Sequence, residues 1–433
     1  METLKILISR FRRWQYSGLC LLLLIILTLH FSVIITPDYP PFDEIHYVED
    51  ARVIISDHMT QRPEHPPLGK LFIVAGMQIF GDNPFGWRIF PVIFSAAGIV
   101  FMYLICRRLN LSKKVSYFAA FLIGMENLSF VQGSVGMLDV FSLTFTLAAF
   151  WLYLKERYVL SGAMVALSAL AKLNGALAIL VIGLHWFLNR RKHQWRFLIS
   201  MLSAPILFLA LMPVFDFMIC REWLNPIDQI MNMMDLTSMI TFASYEPGGI
   251  ATRPWMWLLR PLIINYWYDP HYIGMISPTV WVFIMPLFLY IIRRAIKGNN
   301  AFIFLFSWFL GLYMIWIPAS LITDRASYLF YFYPAIGCIC IGLAIVIFKL
   351  LNIARARRSG KLRRFLVISA LLYPLLHIIA FIVLAPVSLW WSIPVGIILY
   401  IITIRYMGIF NWYRPWIRTA AAEYQVDMPP QQE

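Results

Sequence analysis

Residues 37–73 read PDYPPFDEIHYVEDARVIISDHMTQRPEHPPLGKLFI, and they decide how the rest of the chain is read. The stretch is polar and rich in acids, yet apolar runs enclose it at 17–36 and 88–107. A run of about 20 apolar residues is long enough to cross a bilayer. The stretch is therefore the core of a loop, 37–87, held between two membrane spans. Further candidate spans follow near 114–131, 136–155, 159–171, 174–189, 196–216, 277–292, 301–321, 327–350, 364–385 and 388–405. The expected fold is an all-α integral membrane bundle of about twelve helices, two of them short, with a second long loop near 217–276. Residues 1–420 form one membrane unit, and 421–433 read as a polar tail expected to be disordered.

Composition agrees with this reading. The 433 residues are 61% hydrophobic and only 13% charged, against about 25% charged in soluble domains. The formal charge of +14 does not mark a nucleic-acid binder, because the cations sit in short clusters between apolar runs. Positive clusters identify cytoplasmic loops. Arg10 to Arg13, Arg107 to Lys114, Lys155 and Arg157, Arg190 to Arg196, Arg293 to Lys297, Arg355 to Arg364, and Arg405 to Arg418 all fall on one side of a single topology. That topology puts both termini in the cytoplasm and both long loops outside. Cys20, Cys106, Cys220, Cys338 and Cys340 show no pairing pattern.

Chemistry is expected in the outer loops and at the outer helix ends. Asp43 and Glu44 are adjacent acids on a stretch, 43–59, with helical character. Neighbours on a helix point about 100° apart, so the two carboxylates have different tasks. A carboxylate suits general-base work on a hydroxyl; a bare acidic pair is equally compatible with a solvated loop. His65 and Lys70 lie in Glu64-His65-Pro66-Pro67-Leu68-Gly69-Lys70, a rigid loop-to-helix junction. Lys70 either snorkels or attracts a lipid phosphate. Arg88 opens the next span, where a guanidinium either anchors the helix or grips a phosphate by two hydrogen bonds. Asp139 begins a span, and a carboxylate there is costly enough to suggest a function. Lys172 separates two short apolar runs. Arg325 either contacts phosphate or pairs with Asp324. The second loop holds Arg253, Trp255, Trp257, Arg260, Tyr266, Trp267, Tyr268, Asp269, His271 and Tyr272, suited to an interfacial belt or to stacking on a sugar. Neither His271 with Asp269 nor His65 with Glu64 has recognised metal-ligand spacing, so no metal or other cofactor is expected.

The ordered set Phe42-Asp43-Glu44, His65-Pro66-Pro67-Leu68-Gly69-Lys70, Arg88-Ile89-Phe90-Pro91, Met137-Leu138-Asp139, Ala171-Lys172-Leu173-Asn174-Gly175 and Asp324-Arg325 through Tyr331-Phe332-Tyr333-Pro334 resembles the protein O-mannosyltransferase family. The resemblance runs in order over 40–340. It implies a GT-C bundle with an outer-face site, a polyprenyl- or dolichyl-phosphate-mannose donor, and inverting, metal-independent transfer to a protein Ser/Thr hydroxyl. It implies Asp43 as base, Glu44 as its essential neighbour and Arg88 as a lipid-phosphate contact; Lys172 and Arg325 are further phosphate candidates, and Tyr331 a substrate-site candidate. The chain departs from the family at His46-Tyr47 and at Phe332, where the family has His. Its second loop is too short for the soluble domain of eukaryotic members. A related transferase acting on a lipid or glycan, as aminoarabinose transferases do, is the nearest alternative. A transporter is the alternative of another class, disfavoured because no repeat is evident and the notable charges lie at helix ends.

Overall fold

The computed structural model describes residues 14, 16–189, 195–244, 249–268, 271–357 and 360–409. The N-terminal basic cluster, Arg190 to Lys192, Asp269, Arg414, Arg418 and the tail 421–433 lie outside them. The described chain is a helical bundle. Among the described residues, seven helices are long and apolar enough to cross a membrane: Pro84–Arg108, Phe197–Cys220, Pro278–Ile296, Asn300–Thr323, Leu329–Ala356, Lys361–Leu384 and Leu389–Met407. An eighth is reached if Asn127–Ser134 and Leu138–Leu154, bent by 114°, count as one. Ser17–Val33, Pro67–Phe80, Tyr158–Ala171 and Leu173–Leu188 are apolar but shorter, so the expected dozen are not all full spans. The chain is a multi-pass membrane protein.

The breaks have local causes. The apolar run at 114–131 is interrupted because Glu126 caps the next helix, accepting from the Ser129 N–H at 2.7 Å. Its other oxygen accepts from the Ser277 N–H at 2.8 Å, which ties the second loop to the bundle. Lys172 ends Tyr158–Ala171 in an extended conformation, φ −156°. The chain then turns back so tightly that a Cβ on Gly175 would lie 2.4 Å from the Ser168 carbonyl. Gly69 plays the same role between helices: a Cβ there would lie 2.5 Å from the Ala171 carbonyl oxygen. Pro67–Phe80 thus packs directly against the end of the helix that presents Lys172.

The first loop is mostly ordered helix, Glu44–Asp57 and Pro67–Phe80, the former close to the expected 43–59. The second contains Pro226–Ser238 and a two-stranded antiparallel sheet, Ile264–Trp267 with Tyr272–Gly274. The loops meet through rings, with Phe42 against Tyr266 at 4.5 Å and Tyr39 against Trp267 at 4.4 Å. The clusters Arg107–Arg108, Lys155 and Arg157, and Arg293–Lys297 all sit at the helix ends remote from these loops.

Candidate active site

Asp43 occupies the N-cap of Glu44–Asp57, a position where Asp normally accepts a backbone N–H. Here it makes no such bond. Among the described residues its half-buried carboxylate has no hydrogen-bond partner. Phe42 immediately before it has φ +51°, an unfavourable conformation for an aromatic residue. Its ring, wedged against Tyr266 and Phe330, holds that turn. Burial raises the Asp43 pKa above its ordinary 3.8, while the Lys172 charge pulls it back down.

Glu44 points the other way and is fully buried. Arg88 grips it by two nitrogens, Nε to Oε1 at 2.9 Å and Nη2 to Oε2 at 2.8 Å. The Gly136 N–H donates to the same carboxylate at 2.6 Å. Arg88 also donates through Nη1 to the carbonyls of Ile34 and Pro37, and through Nη2 to that of Tyr39. Every guanidinium donor is engaged, and the side chain is 0% exposed. In this arrangement Arg88, expected as a lipid-phosphate contact, is committed to the protein. It has no N–H left to give, and it clamps the first loop to the bundle instead.

Lys70, the other expected site cation in this loop, is also held by the protein. Its ammonium donates to Thr60 Oγ1 at 2.6 Å and to the Arg62 carbonyl at 2.9 Å, and it lies 3.6 Å from Asp50. Asp50 in turn accepts from the Gln61 N–H and the Thr60 hydroxyl. This set pins residues 60–62 and holds Lys70 buried among Thr60, Arg62 and Asp50.

The remaining candidates converge on Asp43. Lys172 pairs with Asp139 at 2.7 Å. Its ammonium also lies 5.2 Å from the Phe330 ring centre and 5.9 Å from that of Tyr331. A cleft beside the pair is lined by Asp139, Lys172, Asn174, Trp316, Tyr331 and Pro334. His65 meets the Tyr47 hydroxyl at 3.3 Å. Burial lowers its pKa well below 6.5, and the nearby charges of Lys172, Lys70, Arg62 and Arg325 push the same way, so the imidazole is neutral at pH 7.

Arg325 does not pair with Asp324. The Asp324 carboxylate goes to Arg253 at 2.5 Å, because Asp324 turns at φ +51° away from its neighbour. Arg325 Nε is buried without an acceptor among the described residues. Its backbone is held by pairing with Thr241, flanked by the Ala326 N–H to the Ile240 carbonyl and the Phe242 N–H to the Asp324 carbonyl. Among the described residues the site thus contains one carboxylate without a hydrogen-bond partner, one cation in a pair at a cleft, and one guanidinium whose Nε has no acceptor. Sequence reasoning missed Tyr47, whose hydroxyl orients His65, and Glu126, whose signal was a carboxylate inside an apolar run. Among the described residues no three of His, Cys, Asp and Glu gather as a metal site.

Comparison with known proteins bears on this cluster. Residues 64–217, which carry His65, Lys70, Arg88, Asp139 and Lys172, match the family described as dolichyl-phosphate-mannose-protein mannosyltransferase. A polyprenol-phosphate-mannose–protein mannosyltransferase of Mycobacterium tuberculosis is 32% identical over 157 residues, 35% of this chain and 30% of that protein. The match therefore spans under a third of that relative's length. In three dimensions the chain is similar to the Saccharomyces cerevisiae protein O-mannosyltransferase Pmt1–Pmt2 complex bound to the sugar donor. The TM-score is 0.65 at 11% identity, covering 92% of this chain and 89% of that one. It is also similar to ArnT from Cupriavidus metallidurans, with TM-score 0.50 and 17% identity over 91% of this chain and 77% of that one. The chain thus shares the helical membrane fold of these two proteins, as the sequence led one to expect. Asp43, Glu44, Arg325 and Tyr331 lie beyond the matched residues, and their roles rest on geometry.

Proposed function

We propose that the chain is a glycosyltransferase that moves mannose from a polyprenyl- or dolichyl-phosphate carrier to a hydroxyl, with protein Ser/Thr as acceptor, at the outer face of the membrane. The observation that carries the proposal is the Asp43 carboxylate, without a hydrogen-bond partner among the described residues, close enough to the Lys172–Asp139 pair to feel both charges. An anionic lipid phosphate needs cations that still have donors to give. Arg88 has none and Lys70 is buried in its own loop; Arg325 Nε has no acceptor among the described residues, and Lys172 can turn from Asp139 toward a ligand at the cleft. The reaction is one displacement. The acceptor oxygen bonds to the anomeric carbon as the bond from that carbon to the phosphate oxygen breaks, with inversion. Asp43 takes the acceptor proton. Lys172 and Arg325 stabilise the charge that develops on the leaving phosphate. Neutral His65, held by Tyr47, donates to or accepts from sugar hydroxyls without competing for that proton, and Tyr331 walls the cleft.

Support for the sugar and acceptor comes from the relative's name, and support for the outer face comes from the one-sided basic clusters. The scheme uses no metal or cofactor beyond the lipid-linked donor. The test incubates purified full-length protein with polyprenyl-phosphate-mannose and a Ser/Thr-rich peptide and reads the product by mass. Addition of one hexose to the peptide supports the reading. Transfer only to a lipid or glycan would move the assignment to the ArnT-like alternative. Transfer that stops on chelation and returns with a divalent cation would overturn the metal-free scheme.

A further inference from the structure

At the end of the bundle remote from Asp43, a groove of about 320 Å³ opens between the helices Ile284–Ile296 and Tyr333–Ala356. Its walls include Phe283, Leu287, Leu343, Val346 and Ile353, and among the described residues its polar lining groups are Tyr290 and Lys349. Lys349 donates to the Tyr290 hydroxyl at 3.1 Å, with the ammonium 5.2 Å from the ring centre. The groove is thus an apolar slot with a cation near one end.

Helical spacing extends that cation into a cluster. The groove stripe on the first helix runs 283, 286, 287, 290; three and four residues further on the same face stand Arg293 and Arg294. On the second helix the stripe runs 343, 346, 350, 353, with Lys349 beside it. Arg294 leans over Phe302 at 5.7 Å, and its Nε is buried with no acceptor among the described residues. The sequence contains no Asp or Glu at 270–323 or at 325–422. No carboxylate on either helix can neutralise these cations.

We infer that this groove binds an anionic phospholipid from the leaflet opposite the catalytic cluster, one acyl chain in the slot and the headgroup phosphate on Lys349, Arg293 and Arg294. Apolar walls alone would accept any lipid tail. The uncompensated cations at the mouth select a negative headgroup, as basic pockets between membrane helices do. The inference does not depend on the transferase reading, because it uses no residue of that site.

The experiment is native mass spectrometry of the full chain released from nanodiscs of phosphatidylcholine doped with phosphatidylglycerol. Phosphatidylglycerol should be retained in preference. Lys349→Gln should lower that retention roughly fivefold, and Arg293→Gln with Arg294→Gln should lower it further. Val346→Phe fills the slot but keeps every cation, and it should also reduce retention. All three variants lie outside the catalytic cluster and leave Asp43, Lys172 and Arg325 untouched. Equal retention of the two lipids, or retention unchanged by the charge variants, would overturn the inference. Retention unchanged by Val346→Phe alone would reduce the site to surface charge and remove the groove from it.

Discussion

Replacing Arg88 by Gln should unfold the first loop from the bundle, and the cost can be worked from its contacts. The change strips Glu44 of its fork and leaves one described donor, the Gly136 N–H, to a fully buried carboxylate. It also leaves the carbonyls of Ile34, Pro37 and Tyr39 without the donors they now share. Breaking a buried pair by removing one partner costs about 3–5 kcal/mol, because the other charge stays buried and unpaired. That is a loss of roughly a hundredfold or more in the folded-to-unfolded ratio. Removing both charges as Glu44→Met with Arg88→Met should cost less than either single change, since no orphan ion remains. The assay is the monodisperse fraction left after heating, read by gel filtration in detergent, with Asp43→Asn as the control that leaves the clamp intact. An Arg88→Gln protein as heat-resistant as the parent and the Asp43→Asn control would refute the clamp and return Arg88 to the phosphate.

Other outcomes follow from the same geometry. Lys172→Met should lower kcat by roughly a hundredfold to a thousandfold, the usual loss when one preorganised charge at a developing anion is removed; single-turnover rates with saturating donor check this. Arg325→Gln should raise KM for the lipid donor about tenfold to a hundredfold, the loss of one charge-assisted hydrogen bond, while heat resistance stays unchanged. The acid limb of kcat/KM should lie above the ordinary Asp range, because burial raises Asp43 and a base with a raised pKa is protonated sooner as pH falls. Removing the Lys172 charge should move that limb higher still, and Lys172→Arg should leave it in place; a limb that moves downward in Lys172→Met would contradict the pairing of charges described above. Lys70→Met should loosen residues 60–62, seen as faster hydrogen exchange at Gln61 and Arg62.

The sequence made the membrane class and most span positions legible because burial in lipid leaves long apolar runs: the run at 88–107 became Pro84–Arg108 almost unchanged. It did not reveal the break at Glu126, since a hydropathy window cannot see a carboxylate whose oxygens are taken by Ser129 and Ser277. At the site, spacing separated Asp43 from Glu44 in direction, but which of them was free depended on Arg88, 44 residues on from Glu44. Arg88 and Lys70 looked like phosphate ligands because a lone cation shows its charge in sequence and hides its acceptors, here mostly backbone carbonyls and carboxylates brought in by the fold. Arg325 was obscured by its neighbour. Adjacent opposite charges suggest a pair, and only the left-handed turn at Asp324, with Arg253 arriving from the second loop, leaves Arg325 open.

The central claim is that Asp43 removes the acceptor proton in a hexosyl transfer. Its most direct test sets the parent beside Asp43→Asn and Asp43→Glu, with equal amounts of folded protein, polyprenyl-phosphate-mannose and a Ser/Thr-rich peptide. The account predicts hexosylated peptide from the parent, none from Asp43→Asn, a partial yield from Asp43→Glu, and undiminished donor binding in all three. Hexosylated peptide from Asp43→Asn at the parent's rate would contradict it.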